Sequence, residues 1–276
     1  MICDVEDTVH AASAVHAVTR LRGGQWSSAS DVLAEEVPVA LEYNGVSHAV
    51  MLATPSDLIA FALGFSLSEG IIDSPREWYG AEVAESAAGI TVSIDIAAGA
   101  FMRLKERRRT LAGRTGCGLC GVDSLGQVMR PVAYLAPTRV LSAAAIRTAL
   151  LHTKAQQPLN QLTGATHAAL WCGRDGAPRL AMEDVGRHNA LDKLIGALHL
   201  DEMDLADGFA LITSRASVEM VQKAATVGIA ALVAISAPTA LAARTAQACG
   251  LTLVAFARGD SFVAYAHALN IAQEAA

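Results

Sequence analysis

Two thiols in CxxC spacing, Cys117 and Cys120, lie in the glycine-rich run Gly116-Cys117-Gly118-Leu119-Cys120-Gly121. Just upstream, Arg103, Lys105, Arg107, Arg108, Arg109 and Arg114 put six positive charges within twelve residues, opposed only by Glu106. Neighbouring cations favour thiolate over thiol, so a cysteine here falls below its free pKa of about 8.5 and becomes a better nucleophile toward sulfur. Three chemistries fit such a pair. A structural zinc site would need two more ligands, from His167, His188 or Cys172. A dithiol switch would need a helix to begin at the first cysteine, which the glycine density disfavours. A thiolate that carries sulfur as a persulfide needs only a reachable loop. A flexible surface loop with incidental thiols is the plain alternative.

A second polar concentration runs over 183–193: Glu183, Asp184, Arg187, His188, Asn189, Asp192 and Lys193 around Gly186. It leads into a helix whose apolar positions Leu191, Leu194, Ile195 and Leu198 keep helical spacing. Gly186 permits close backbone approach, and Arg187 and His188 offer donors suited to phosphate or a heterocycle. Arg215, Lys223 and Arg258 add cations that could converge on an anionic ligand. A solvated helix start is the bland reading of the same charges, and a single histidine is commonly structural. Cys172 and Cys249, in apolar surroundings, read as core filler.

The elements that must position these residues follow from patterning. Residues 1–36 show no clear period and read as a flexible lead-in. Two strands flank Asn44-Gly45, a pair suited to a tight type I′ hairpin. Thr54 followed by Pro55 and Asp57 reads as a helix start, and the helix runs to Glu69-Gly70. A strand is expected over 89–96, a loop over 113–126, and a helix capped by Ser142 through about 154. Strands over 167–173 and 178–184 enclose a turn. From Gly186 onward helices and short buried strands alternate, the pattern of βαβ units in a largely parallel sheet covered on both faces. Ligands bind such sheets outside the strands' carboxyl ends, here 213–215, 236–239 and 257–261. The expected fold class is therefore α/β, with a mixed α+β part over 37–135 and an α/β domain over 136–276.

Composition excludes several classes. At 53% hydrophobic and 17% charged, the 276 residues fold rather than stay disordered. A net charge of −6 argues against a general nucleic-acid binder. Five unevenly spread cysteines point to a reducing compartment. The N-terminus does not read as a signal peptide, and the longest apolar run, over 228–243, is too short and too interrupted to span a bilayer. A cytoplasmic protein without a membrane span is expected.

Taken together, the runs GCGLCG (116–121), TGATHAAL (163–170), EDVGRHNALDKLIG (183–196), TSRASVEMVQKAA (213–225), ISAPTALA (235–242) and LTLVAFARGDSFVAYAH (251–267) resemble the FdhD family of formate dehydrogenase accessory sulfurtransferases. They occur in family order from about residue 37 to 267 and include LGFSLSEGII (63–72). The resemblance implies a sulfur carrier that takes sulfur from a cysteine desulfurase. It passes that sulfur to the molybdenum cofactor, Mo-bis(molybdopterin guanine dinucleotide), before formate dehydrogenase receives it. By that resemblance Cys117 bears the persulfide, Cys120 matches the second loop cysteine, and the cofactor-binding stretch matches Phe256, Ala257, Arg258, Gly259, Asp260 and Ser261. It also implies a cytidine-deaminase-like C-terminal domain, a homodimer, and no permanent metal. Many members carry Ser-Cys where this chain has Gly116-Cys117, which leaves the thiol without a neighbouring hydroxyl.

Two other classes compete. A zinc hydrolase acting on a nucleobase would show HxE followed by PCxxC, and that signature is missing. A chaperone that binds the molybdenum cofactor without moving sulfur would retain client activation when Cys117 is replaced.

Overall fold

A computed structural model describes residues 11–112, 132–136 and 141–272, with the side chains of 108–112 outside that description. The Cys117 and Cys120 loop lies outside the described residues. Strands β1 (Ser13–Arg22) and β2 (Gln25–Ala34) form an antiparallel hairpin around Gly23-Gly24, which takes the positive φ angles of a two-residue turn. The lead-in expected over 1–36 is corrected here, since 13–34 are regular strand. Their periodicity escaped notice because both faces are exposed and interrupted by serine and alanine.

A four-stranded sheet follows, built from β3 (Val37–Tyr43), β4 (Val46–Ala53), β5 (Trp78–Ser86) and β6 (Gly89–Ile96) in the order β4-β3-β6-β5. Asn44 and Gly45 make the expected turn, with φ of 46° and 76°. Helix α1 (Leu58–Ser68) is apolar and buried all round, lying between this sheet and a helix from the second half of the chain. It begins at Leu58 rather than at Thr54, whose hydroxyl does not cap it. Helix α2 (Ala98–Ala112) carries the basic stretch, with Ala100 and Leu104 buried, and runs into the cysteine segment.

Strand β7 (Leu141–Ser142) leads into α3 (Ala143–Thr153), capped by the Ser142 hydroxyl, which accepts from Ala145 N at 2.9 Å. Short α4 (Pro158–Thr163) precedes the hairpin of β8 (His167–Gly173) and β9 (Pro178–Asp184). Then come α5 (Arg187–Leu200), β10 (Gly208–Ile212), α6 (Val218–Thr226), β11 (Ala231–Ala234), α7 (Ala240–Cys249), β12 (Thr252–Arg258) and β13 (Ser261–Ala266). A final β14 (Ile271–Ala272) pairs with β7. The six-stranded sheet has the order β13-β12-β11-β10-β8-β9. Only β10, β11 and β12 are mutually parallel, as the βαβ pattern requires; β8, β9 and β13 join antiparallel. The sheet is therefore mixed rather than largely parallel.

One continuous core holds Val39, Phe61 and Ile94 together with Leu191, Ile195 and Leu232. The division expected at 135/136 thus marks a change of sheet, not a gap between cores. A second, smaller cluster joins α3 to the other face of the six-stranded sheet through Ile146, Leu170, Phe209 and Val233. Helices α1 and α5 cross where glycines let them touch. A Cβ on Gly64 would collide with the Asp192 carbonyl oxygen, and one on Gly196 with that of Ala60.

Candidate functional site

The carboxyl ends of β10, β11 and β12 lie side by side and are laced by backbone hydrogen bonds. Ala216 N donates to Ala237 O at 3.1 Å, Thr239 N to Ala216 O at 3.0 Å, and Phe256 N to Ser236 O at 3.1 Å. Because β8 runs antiparallel to β10, its first residue His167 arrives at the same end, where it faces Asp184 at the close of β9. Thr213 fixes that junction: its Oγ1 accepts from Ala168 N at 2.9 Å. Helices α5, α6 and α7 all begin here. Thr239 caps α7 by accepting from Ala242 N, whereas α5 and α6 start without a side-chain cap. Unpaired first-turn N–H groups give a helix N-terminus its affinity for negative charge.

Most of the polar run over 183–193 proves to be internal. Glu183 accepts from the backbone N–H groups of Leu159 (2.8 Å) and Asn160 (2.7 Å) and from the Thr166 hydroxyl (2.9 Å), tying α4 to β9. Asp184 and Lys193 are fully buried and paired at 2.8 Å. Around them, Thr54 N donates to Asp184 (3.0 Å), Lys193 donates to the Thr54 carbonyl (2.9 Å), and the Thr54 hydroxyl accepts from Val185 N (3.1 Å). Asn189 donates to Leu52 O and to Asp184, closing the cage. Thr54 is thus a connector between the halves of the chain, not a helix cap.

Lys223 is not a ligand-facing cation either. It is buried on α6, pairs with Asp192 and Glu69 at 2.8 Å each, and stands 5.2 Å from the Phe65 ring centre. Ser68 donates to the same Asp192 at 2.6 Å. Burial pushes the Asp192 carboxyl above its ordinary range, with Lys223 and Ser68 opposing.

Arg187 and His188 remain at the strand ends. Nε of Arg187 and Nε2 of His188 are buried with no hydrogen-bond partner among the described residues, His188 Nε2 lying 3.8 Å from Glu219 Oε2. Burial, reinforced by the Arg187 and Lys223 cations, holds His188 below the usual histidine range. Burial and Arg187 do the same to His167. Both shifts favour the neutral imidazole. Arg215 is exposed on the loop after β10.

The stretch from Phe256 to Ser261 closes the same edge. Phe256 takes φ of 51°, a left-handed backbone uncommon for a bulky residue, where the β12–β13 register breaks. Its ring is exposed and stands 6.5 Å from that of Tyr265. Arg258 donates through Nε to Ile235 O at 3.1 Å, Gly259 and Asp260 form the turn, and Ser261 donates to Arg258 O at 3.3 Å. Ala257 is fully buried in the smaller cluster, leaving only its backbone to meet a ligand.

The basic helix α2 is anchored beside this framework. Arg107 donates to the carbonyls of Glu69 (3.3 Å) and Gly70 (3.0 Å), and Arg103 pairs with Glu77 (2.8 Å) and Asp73 (3.0 Å). Sequence reading missed this helix because its charges hide a narrow apolar stripe. A cavity of about 410 Å³ lies between α2 and the end of α1, lined by Gly70, Ile71, Asp73, Arg103, Leu104, Glu106 and Arg107. Among the described residues no group of three His, Cys, Asp or Glu side chains is arranged to hold a metal. Cys172, offered above as a zinc ligand, is buried and its thiol is pushed up to about 12. No helix among the described residues is long and apolar enough to cross a membrane.

Strand ends, helix N-termini and a bulged aromatic on one edge are the ligand-receiving side of an open α/β sheet, so the class is a mixed α/β protein with one polar edge. The model of the FdhD/NarQ family matches residues 34–272, and the chain belongs to that family. It is 52% identical over 272 residues to the "Sulfur carrier protein FdhD" of Cupriavidus necator, covering 99% of this chain and 93% of that one. The protein of the same description from Variovorax paradoxus is 53% identical over 237 residues, covering 86% and 85%. A crystal structure from Desulfotalea psychrophila, of a protein assigned as a formate dehydrogenase accessory protein, superposes with a TM-score of 0.73. It covers 95% of this chain and all of its own at 23% identity, which speaks to the fold.

Proposed function

We propose that this chain is a sulfur carrier that serves formate dehydrogenase. It accepts sulfur from a cysteine desulfurase as a persulfide on Cys117 and delivers it to Mo-bis(molybdopterin guanine dinucleotide) as substrate. It works as a cytoplasmic homodimer. The observation that carries this reading is the match, at 50–53% identity over 85–93% of their length, to relatives described as sulfur carriers.

In the accepting step the Cys117 thiolate attacks the outer sulfur of the donor's persulfide. One S–S bond forms as the donor's breaks, and the donor cysteine leaves as thiolate. Positive charge near the loop raises the thiolate fraction. The uncapped N-terminus of α5 and Arg187 favour the acceptor's phosphates, while neutral His188 offers a hydrogen-bonding partner to a heterocycle. The Phe256 ring supplies a stacking surface, and Arg258, Gly259, Asp260 and Ser261 line the same edge with hydrogen-bonding groups.

The test is incubation with a cysteine desulfurase and cysteine, followed by intact-mass measurement and peptide mapping. One added sulfur atom on Cys117 is expected. A chain that takes up no sulfur from a competent donor yet binds the cofactor is the non-catalytic chaperone instead.

A further inference from the structure

His167 opens β8, and the alternation of the strand fixes the side to which its imidazole points. Ala168, Leu170 and Cys172 belong to the smaller cluster with α3, whereas Ala169 and Trp171 belong to the main core. His167 shares the latter side, where α5 packs through Ala190, Leu191 and Leu194. Asp184 stands opposite it on β9, and its oxygens already accept from Thr54 N, Gly186 N, Asn189 and Lys193. The imidazole therefore meets no open acceptor on β9. It meets Arg187 instead: burial first, and then this cation, hold His167 below the usual histidine range, with Asp184 opposing.

The fixed charges on this side of the sheet are matched before any ligand arrives. Lys193 answers Asp184 at 2.8 Å, and Glu219 on α6 faces both Arg187 and His188. Arg215 is exposed on the loop beyond β10. Yet Nε of Arg187 is buried with no partner among the described residues. A buried donor left unpaired in a folded chain calls for a partner from outside it. A phosphate seated on Arg187 adds negative charge to a matched set, and the groups beside it that can become cations are the imidazoles. The two differ in what stands behind them. An anion on Arg187 cancels the cation that acts on His167, whereas His188 still faces Lys223.

We propose that His167 is a further phosphate ligand: beside Arg187 it takes one phosphate of a nucleoside diphosphate diester as imidazolium, so that binding draws a proton from solution. The proposal rests on the nucleotide-receiving edge of the proposed function and adds to it a residue and a proton. A neutral imidazole donates from one nitrogen, but the charged ring donates from both and pairs with the phosphate by charge. The sign follows from linkage. An anion that makes His167 hold its proton more tightly must itself bind more tightly when that proton is present. Affinity is thus full at low pH and falls, by up to about tenfold per pH unit, as pH rises through the bound-state value.

The test is titration calorimetry of the full chain with GDP-mannose, a diphosphate diester. GDP itself would confuse the proton count, because a terminal phosphate ionises at about 6. Repeating each titration in buffers of different ionisation enthalpy counts the protons. The wild type should take up protons, to at most about one per chain, between pH 6 and pH 8. His167→Gln should take up none, bind with level affinity over that range, and meet the wild-type affinity at pH 8, where both side chains are uncharged. A deficit that persists undiminished at pH 8 would mark a merely structural role and overturn the proposal. Uptake that survives His167→Gln overturns it too, and loss of that uptake in His188→Gln would then place the proton on the neighbour. Wild-type binding without uptake overturns it and leaves the nucleotide edge standing. No binding at any pH removes that edge, and the proposal with it.

Discussion

Lys223 on α6 holds the Glu69 carboxylate at the end of α1 at 2.8 Å, and the backbone carbonyl of the same Glu69 accepts from Arg107 of α2 at 3.3 Å. One buried ammonium therefore fixes both the α1 terminus and the helix that runs into the cysteine segment. Asp192, on the other side of Lys223, ties the pair to α5.

Replacing Lys223 with Met leaves the fully buried Asp192 without its cation. Breaking one side of a buried pair costs about 3–5 kcal/mol. Burial already pushes Asp192 upward, so in the variant its folded pKa rises further above the ordinary 3.8. The group then contributes stability at low pH that is lost as pH rises through the folded value. The deficit in urea unfolding should be greater at pH 8 than at pH 5, and equal deficits would refute this account of the pair.

The depressed imidazoles give the opposite sign. His188 and His167 are held below the ordinary value of 6.5 in the folded chain. Their contribution is full above that value and is lost as pH falls through the folded pKa. Stability should drop between pH 7 and pH 5, and His188→Gln should flatten part of that slope. An unaltered slope in urea titrations would show that His188 is not one of the responsible groups.

Gly64→Ala should destabilise the chain by at least the roughly 1–3 kcal/mol of an overpacked core, because the added methyl meets backbone at Asp192 rather than a yielding side chain. Thermal melting measures it; a melting temperature equal to wild type would mean that α1 and α5 can part freely.

Arg258→Ala should weaken binding of GDP, used as the probe of a guanine nucleotide site, on the order of ten- to a hundred-fold, the worth of a charge-assisted hydrogen bond. Titration calorimetry reads this directly. Undiminished affinity would move the phosphates to Arg187 or Arg215.

Cys117→Ala should abolish activation of formate dehydrogenase while GDP affinity stays unchanged. Activation at the normal rate would return the chain to the role of a chaperone.

Much of the frame was legible because local chemistry dictated it. Asn44-Gly45 could hardly be anything but a hairpin turn, and the alternation after Gly186 had to bring 213–215, 236–239 and 257–261 to one edge. What escaped depended on partners far away in sequence. Asp184, Asp192, Lys193 and Lys223 look like solvated charges until Thr54, Ser68 and Glu69 are known to reach them from more than a hundred residues upstream. Thr54 looked like a cap because Pro55 follows it, yet tertiary pairing claims its hydroxyl. Arg187 and His188 were singled out on residue type, and it was the engagement of every neighbouring charge that isolated them.

The burial of α1 on every side bears on how the chain is made. Ser68 leaves the ribosome about 120 residues ahead of Arg187, the start of the helix that covers it. At roughly 5–20 residues per second this largely apolar rod waits on the order of 6–24 s for its cover. During synthesis the nascent first half is a natural client for trigger-type holding factors, and truncation before α5 should yield aggregate rather than a domain.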